Sequence, residues 1–207
     1  MSKNTLTALL FAAVIFLGFY SMYRVIQPRI LSSEEMKVNG FFEYGEYAKL
    51  RNFELIDDSG NSFTNKNLKE KKLNFLYFGY TTCPAECPVM MSVMRQIYDQ
   101  IDTDDIQFYL ISFDPEIDTS DRLKGYVSGY NKDFIGITGE LSEVVKLGWQ
   151  LGVEKLEPMQ NHNKIREISH TNHLIVVNQD AEVIGIFREP FESTSMALVI
   201  KSLLRSN

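Results

Sequence analysis

Along the 207-residue chain, apolar positions occur in two distinct patterns. The first is an unbroken run, Leu6 to Tyr23, with no charged residue. At about 1.5 Å per helical residue it is just long enough to cross a hydrocarbon core when upright. Tyr20 and Tyr23 stand at one end, where aromatic residues favour a membrane interface. After about residue 46 the pattern changes to short apolar segments separated by turn residues. Phe53–Asp57 followed by Asp58-Ser59-Gly60-Asn61 predicts a strand entering a tight turn. Leu73–Tyr80 and Ile106–Phe113 are nearly continuous apolar runs, as expected of strands buried on both faces. Between them Met90, Met91, Met94, Ile97, Tyr98 and Ile101 recur at helical spacing, so Cys87–Ile101 predicts a helix with its methionines in the core. Thr119 caps a second helix reaching about Tyr130. Then come a short strand at Phe134–Thr138 and a helix at Leu141–Leu151. Leu174–Val177 and Glu182–Phe187 flank a turn at Asp180, and Phe191–Arg205 ends the chain as an amphipathic helix. Strands alternating with helices, then a hairpin and a helix, predict an α/β fold with a mixed central sheet; a thioredoxin-like order fits.

These patterns divide the chain into an N-terminal transmembrane anchor (1–23), a linker (24–46) and a folded domain (47–207). Pro28 and the polar cluster Ser32, Ser33, Glu34 and Glu35 suit a stalk. A cleavable signal peptide competes with the anchor, but the run exceeds a usual h-region and no A-x-A site follows. The N-terminus is too short and too poor in Arg for a mitochondrial presequence, which points to a bacterium. Charge orients the anchor weakly: Lys3 and the amino group lie before it, Arg24, Arg29 and Lys37 after it. That count alone would keep the domain in the cytoplasm.

Net charge of −6, with signs interspersed and no basic block, argues against a nucleic-acid partner. Two cysteines four residues apart, Cys83 and Cys87, are too few and too close for a disulfide scaffold. They fall where a buried strand passes into a helix, the place where α/β sheets gather ligands. A helix N-terminus favours thiolates, and positions i and i+4 share a face with Cα atoms about 6 Å apart. Such a pair can hold one metal ion or form a disulfide. Adding an imidazole makes a donor set suited to copper, thiolates selecting Cu(I) and histidine supporting Cu(II). A structural zinc site would want a fourth protein ligand. His162 lies in the polar loop 160–164, and His170 and His173 precede a strand; spacing does not choose among the three.

The run Gly79-Tyr80-Thr81-Thr82-Cys83-Pro84-Ala85-Glu86-Cys87-Pro88 resembles the Sco/SenC copper-chaperone motif G-[YF]-T-x-C-P-D-x-C-P. Ile111-Ser112-Phe113-Asp114-Pro115-Glu116-Ile117-Asp118-Thr119 is similar to the same family's S-[VF]-D-P-x-x-D-T element. His170-Thr171, an apolar strand and then Asp180 resemble its D-H-[ST] segment, and this spacing selects His170 as the third ligand. The resemblance implies a thioredoxin-like fold and copper, as Cu(I) and Cu(II), on Cys83, Cys87 and His170. It also implies delivery to the CuA site of cytochrome c oxidase subunit II, with another copper carrier or a thiol reductant as further partners. The location it implies is a bacterial cytoplasmic membrane, single-pass, with the domain on the extracytoplasmic side, against the charge count above. A copper chaperone is not an enzyme; the alternative is a thiol–disulfide oxidoreductase in which Cys83 and Cys87 cycle to keep the target's cysteines reduced. No peroxidase signature accompanies the motif. Three positions depart from the family pattern: Ala85 and Ser169 stand where Asp is common, and Ala181 where Gly often follows Asp180. Asp114 and Asp118 read as structural turn and helix-start residues rather than ligands, with support of the ligands from behind left open for both.

Overall fold

The computed structural model describes residues 3–26, 29–154, 159–160, 166–168 and 170–206. The chain divides into two compact units, Met1–Ile30 and Leu31–Asn207. The first consists of one helix, α1 (Lys3–Ile26), of which Asn4–Tyr23 is long and apolar enough to cross a membrane.

The second unit is built on an eight-stranded mixed sheet. Its elements in chain order are α2 (Ser33–Val38), β1 (Phe41–Lys49), β2 (Leu55–Asp57), β3 (Ser62–Phe63), β4 (Leu73–Gly79), α3 (Glu86–Ile101), β5 (Ile106–Ser112) and α4 (Ser120–Ser128). There follow β6 (Ile135–Thr138), α5 (Leu141–Gln150), a small arm of β7 (Met159–Gln160) and β8 (Arg166–Glu167), then β9 (Leu174–Asn178), β10 (Glu182–Phe187) and α6 (Ser193–Ser206). The sheet order is β1-β10-β9-β4-β5-β6-β2-β3. β4, β5 and β6 run parallel, and β9 lies antiparallel against the other side of β4. α3 packs beside α6, and α4 covers β6. This is the expected α/β mixed sheet, and the elements foreseen from periodicity all form, with ends shifted by a residue or two.

β4 explains why the site lies where it does. All seven of its residues are buried, as a central strand with neighbours on both edges requires. The main chain stays in register with β5 beyond the strand end, Phe113 N–H donating to the Gly79 carbonyl at 2.9 Å. The chain then leaves the sheet and enters α3, which carries Met90, Met91, Met94 and Ile97 into the core.

Residues 31–46, expected as part of a linker, are instead built into the domain. Ser32 and Glu35 form a reciprocal capping box that starts α2, and Met36 is buried. Leu31 N–H donates to Ser202 Oγ in α6 at 2.7 Å. Phe41 begins β1 as an edge strand on β10, its ring 4.9 Å from that of Phe187. The absence of a side chain at Gly185 admits Phe41, since a Cβ there would lie 2.5 Å from its Cζ. Polar composition suggested a stalk, but burial of Leu31, Met36 and Phe41 outweighs it. Pro28 lies outside the described residues.

Candidate metal centre

Cys83 lies in the loop between β4 and α3, and Cys87 in the first turn of α3. Both are free thiols; Cys87 is fully enclosed, and Cys83 keeps 8% of its surface exposed. The space for Cys87 comes from Gly79, where a Cβ would lie 2.8 Å from the Cys87 sulfur. From deeper in β4 the buried Tyr77 hydroxyl donates toward Cys87 Sγ at 3.9 Å.

The helix start is unusual in its capping. Ala85 occupies the N-cap position and makes no side-chain cap bond. Pro88, two residues further on than Glu86, has no N–H to offer. The Cys87 N–H donates to Cys83 Sγ at 3.4 Å, so a thiol sulfur takes the place of a capping oxygen. The electrostatic result is an unequal pair. The Cys87 S–H directed at Cys83 is the main influence drawing the Cys83 thiol down to about 5, against burial and with help from backbone N–H groups of Cys87, Ala85 and Glu86. Cys87 is pushed up, first by that same bond to Cys83 and then by burial. Cys83 is therefore the thiolate of the reduced pair. Burial, above all, pushes Tyr77 up as well, so its hydroxyl remains a donor.

The Cys83 loop is pinned from below by Asp118, whose side chain is fully buried. Its carboxylate accepts the Thr81 N–H at 2.9 Å, the Thr81 hydroxyl, and the Ser112 hydroxyl at 2.6 Å. Arg122 pairs with it at 3.6 Å and donates from Nε to Thr81 Oγ1 at 2.7 Å. Thr119 caps α4 as expected, accepting from Arg122 N–H at 3.4 Å. Asp118 thus acts on the site through Thr81, the supporting role the sequence left open for it beside its structural one.

His170 stands in an aromatic enclosure of Tyr77, Tyr80 and Phe113, ring centroids 6.2, 6.3 and 5.8 Å away. Tyr80 also anchors the approaching chain, its hydroxyl accepting the Ile168 N–H at 3.0 Å. On the far side Thr171 N–H donates to the Glu154 carbonyl at 3.1 Å. His170 Nδ1 lies 3.1 Å from the Thr171 carbonyl, a contact that assigns the proton to Nδ1. Nε2 is buried and finds no hydrogen-bond partner among the described residues. His173 faces a different environment: burial first and then the nearby Arg188 guanidinium hold it below its ordinary value, with Glu189 opposing. His162 and Ser169 lie outside the described residues.

Tyr77 therefore touches both a cysteine and the histidine. Among the described residues, however, no three His, Cys, Asp or Glu side chains converge closely enough to share one ion. A surface cavity of about 810 Å³ between Asn52 and Glu143 contains none of the three candidate ligands. Sequence reasoning missed Tyr77 and Arg122, and it gave Gly79, Tyr80 and Thr81 no role of their own. Tyr77 is hidden in a uniformly apolar strand, whereas Gly79, Tyr80 and Thr81 stand within the cysteine motif.

The SCO1/SenC family model matches residues 43–205. The chain belongs to the SCO1/SenC family. Among SCO1/SenC relatives, a protein of Stutzerimonas stutzeri named as copper-binding is 31% identical over 154 residues, covering 73% of this chain and 74% of its own length. Mitochondrial SCO2 of Saccharomyces cerevisiae is 35% identical over 145 residues, covering 69% of this chain, which spans only 46% of the yeast protein. The crystal structure of Arabidopsis thaliana ScoI with copper bound superposes with a TM-score of 0.72 at 25% identity, covering 77% of this chain and 100% of the other. The thioredoxin-like SCO1/SenC fold expected from the motifs is thus the one present.

Proposed function

We propose that this chain is a membrane-anchored copper chaperone that holds its cargo on Cys83, Cys87 and His170. The observation that carries the reading is the buried Nε2 of His170, without a partner among the described residues and with Nδ1 already engaged, in the enclosure that Tyr77 shares with the thiols. A buried imidazole nitrogen without a partner is costly unless something binds it. Two sulfurs and one neutral imidazole suit Cu(I), and with histidine also Cu(II). Since the three side chains do not converge beforehand, loading copper draws His170 and the thiols together. Delivery is to the CuA site of cytochrome c oxidase subunit II, a destination that rests on family membership; the copper-binding relative and the copper-bound ScoI support the cargo. Another copper carrier upstream, or a thiol reductant, completes the exchange. α1 serves as the anchor in a bacterial cytoplasmic membrane, with the domain on the extracytoplasmic side and its boundary near Leu31.

The deciding experiment is anaerobic copper titration of the reduced chain, followed by absorption and EPR, for wild type and His170→Ala. The expected result is one equivalent bound, with a thiolate-to-Cu(II) charge-transfer band that H170A loses. Failure to take up stoichiometric copper would sink the proposal. The unequal thiols also favour a second reading, a thiol–disulfide oxidoreductase for the target's cysteines. Full oxidase assembly in cells carrying only H170A would select it over chaperoning.

A further inference from the structure

The two thiols are held by different means. Cys87 Sγ is walled in at the base of the site by β4, where the missing side chain of Gly79 leaves its seat. Tyr77 lies two residues earlier on the same strand, and so on the same face. Its hydroxyl points at Cys87 Sγ from 3.9 Å, and its ring meets His170 edge-on at 74°. Cys83 is the outer sulfur, partly exposed, and held by the Cys87 N–H.

We propose that Tyr77 is a positioning residue that keeps Cys87 as the retained copper ligand, so that an incoming thiolate exchanges with Cys83. The proposal rests on the copper-holding reading above. A sulfur that binds a metal keeps lone pairs able to accept a hydrogen bond, so the Tyr77 contact persists in the loaded site. It fixes the direction of the sulfur and lowers its donor strength, as outer hydrogen bonds do at metal sites. An incoming thiolate cannot reach Cys87, whereas Cys83 faces outward. In the exchange the incoming sulfur donates a lone pair to the ion as Cys83 leaves with its own pair. No electron is transferred, and the departing thiolate returns to the helix N–H it held before.

The test uses the full chain in detergent micelles, reduced and metal-free, treated with limiting iodoacetamide and mapped by mass spectrometry at pH 7. Wild type should be modified at Cys83 at least tenfold faster than at Cys87. Tyr77→Phe, which keeps the ring, should widen that ratio at least threefold by lowering the Cys87 rate, because the lost donor no longer favours the anion of that sulfur. Tyr109→Phe, which removes the hydroxyl of a buried β5 tyrosine whose charged neighbour is Glu70 rather than either cysteine, should leave it unchanged. In the Cu(II)-loaded chain, Y77F should also move the charge-transfer band to lower energy, and Y109F should not. Equal modification of the two cysteines in wild type overturns the proposal, whatever the variants do. So does a Y77F chain that matches wild type in both ratio and band. A chain that binds no copper but keeps the tenfold ratio and its Tyr77 dependence instead defeats the copper reading.

Discussion

The cysteine half and the histidine half of the site are built on opposite plans. The cysteine half is part of the sheet: β4 ends, α3 begins, and Asp118 ties the intervening loop through Thr81. Thr81, Ser112 and Asp118 bond one another there, and the two sulfurs hold each other. The histidine half is held by Ile168 on Tyr80 and by a reciprocal pair between Thr171 and Glu154, and among the described residues Nε2 of His170 has no partner. The first half is a seat within the sheet; the second, the histidine arm, presents an imidazole nitrogen that no described residue engages.

The contrast can be broken or sharpened by measurement, beginning with the largest expected effect. An ordinary thiol near 9 would lose about 1,000-fold in alkylation rate between pH 8 and pH 5. Cys83, held down to about 5, should lose only about twofold over that range and fall steeply only below it. The sign follows because the thiolate is the reactive form and protonation removes it. A pH profile of iodoacetamide labelling at Cys83 checks this, and a midpoint near 9 would contradict the unequal pair. Next, Asp118→Ala should destabilise the domain by about 3 kcal/mol, since it strands buried donors of Ser112 and Thr81. Urea unfolding measures it, and a loss below about 1 kcal/mol would mean the loop is not pinned by Asp118. Tyr80→Phe removes the acceptor of the Ile168 N–H and should cost about 1 kcal/mol. Its sharper effect should be weaker Cu(II) binding, because the hydroxyl holds the Ile168 end of the histidine arm. Smallest is Ala181→Gly. Ala181 sits at φ +59 in the β9–β10 turn, a left-handed conformation that suits glycine. Relief of strain exceeds the loss of a buried methyl, so thermal unfolding should show a gain of about 0.5 kcal/mol.

The same contrast explains what was legible in the sequence. Cys83 and Cys87 announce themselves because strand, turn and i, i+4 spacing are local relations. His170 lies more than eighty residues away, and no local pattern separates it from His173. Family spacing picked it out, and its position beside Tyr77 and Phe113 is a tertiary fact. The Met-rich face of α3 was read correctly as core because helical spacing records burial directly. The start of the domain was misread although Ser32-x-x-Glu35 is a capping-box signature. The departure at Ala181 acquires a physical meaning only from its backbone angle, whereas Ala85 acquires one from what it fails to cap.

That missing cap has a consequence for how the site reports its own state. With alanine at the N-cap and proline in the first turn, the sulfur of Cys83 is the side chain that meets the Cys87 N–H. Anything that binds this sulfur, whether a metal, a second sulfur or an alkyl group, draws charge from it and weakens it as the acceptor of that N–H. The first turn of α3 is then held less tightly at Cys87. Amide hydrogen exchange at Cys87 would therefore read occupancy at Cys83 from inside the helix, turning an ordinary structural bond into a built-in gauge of loading.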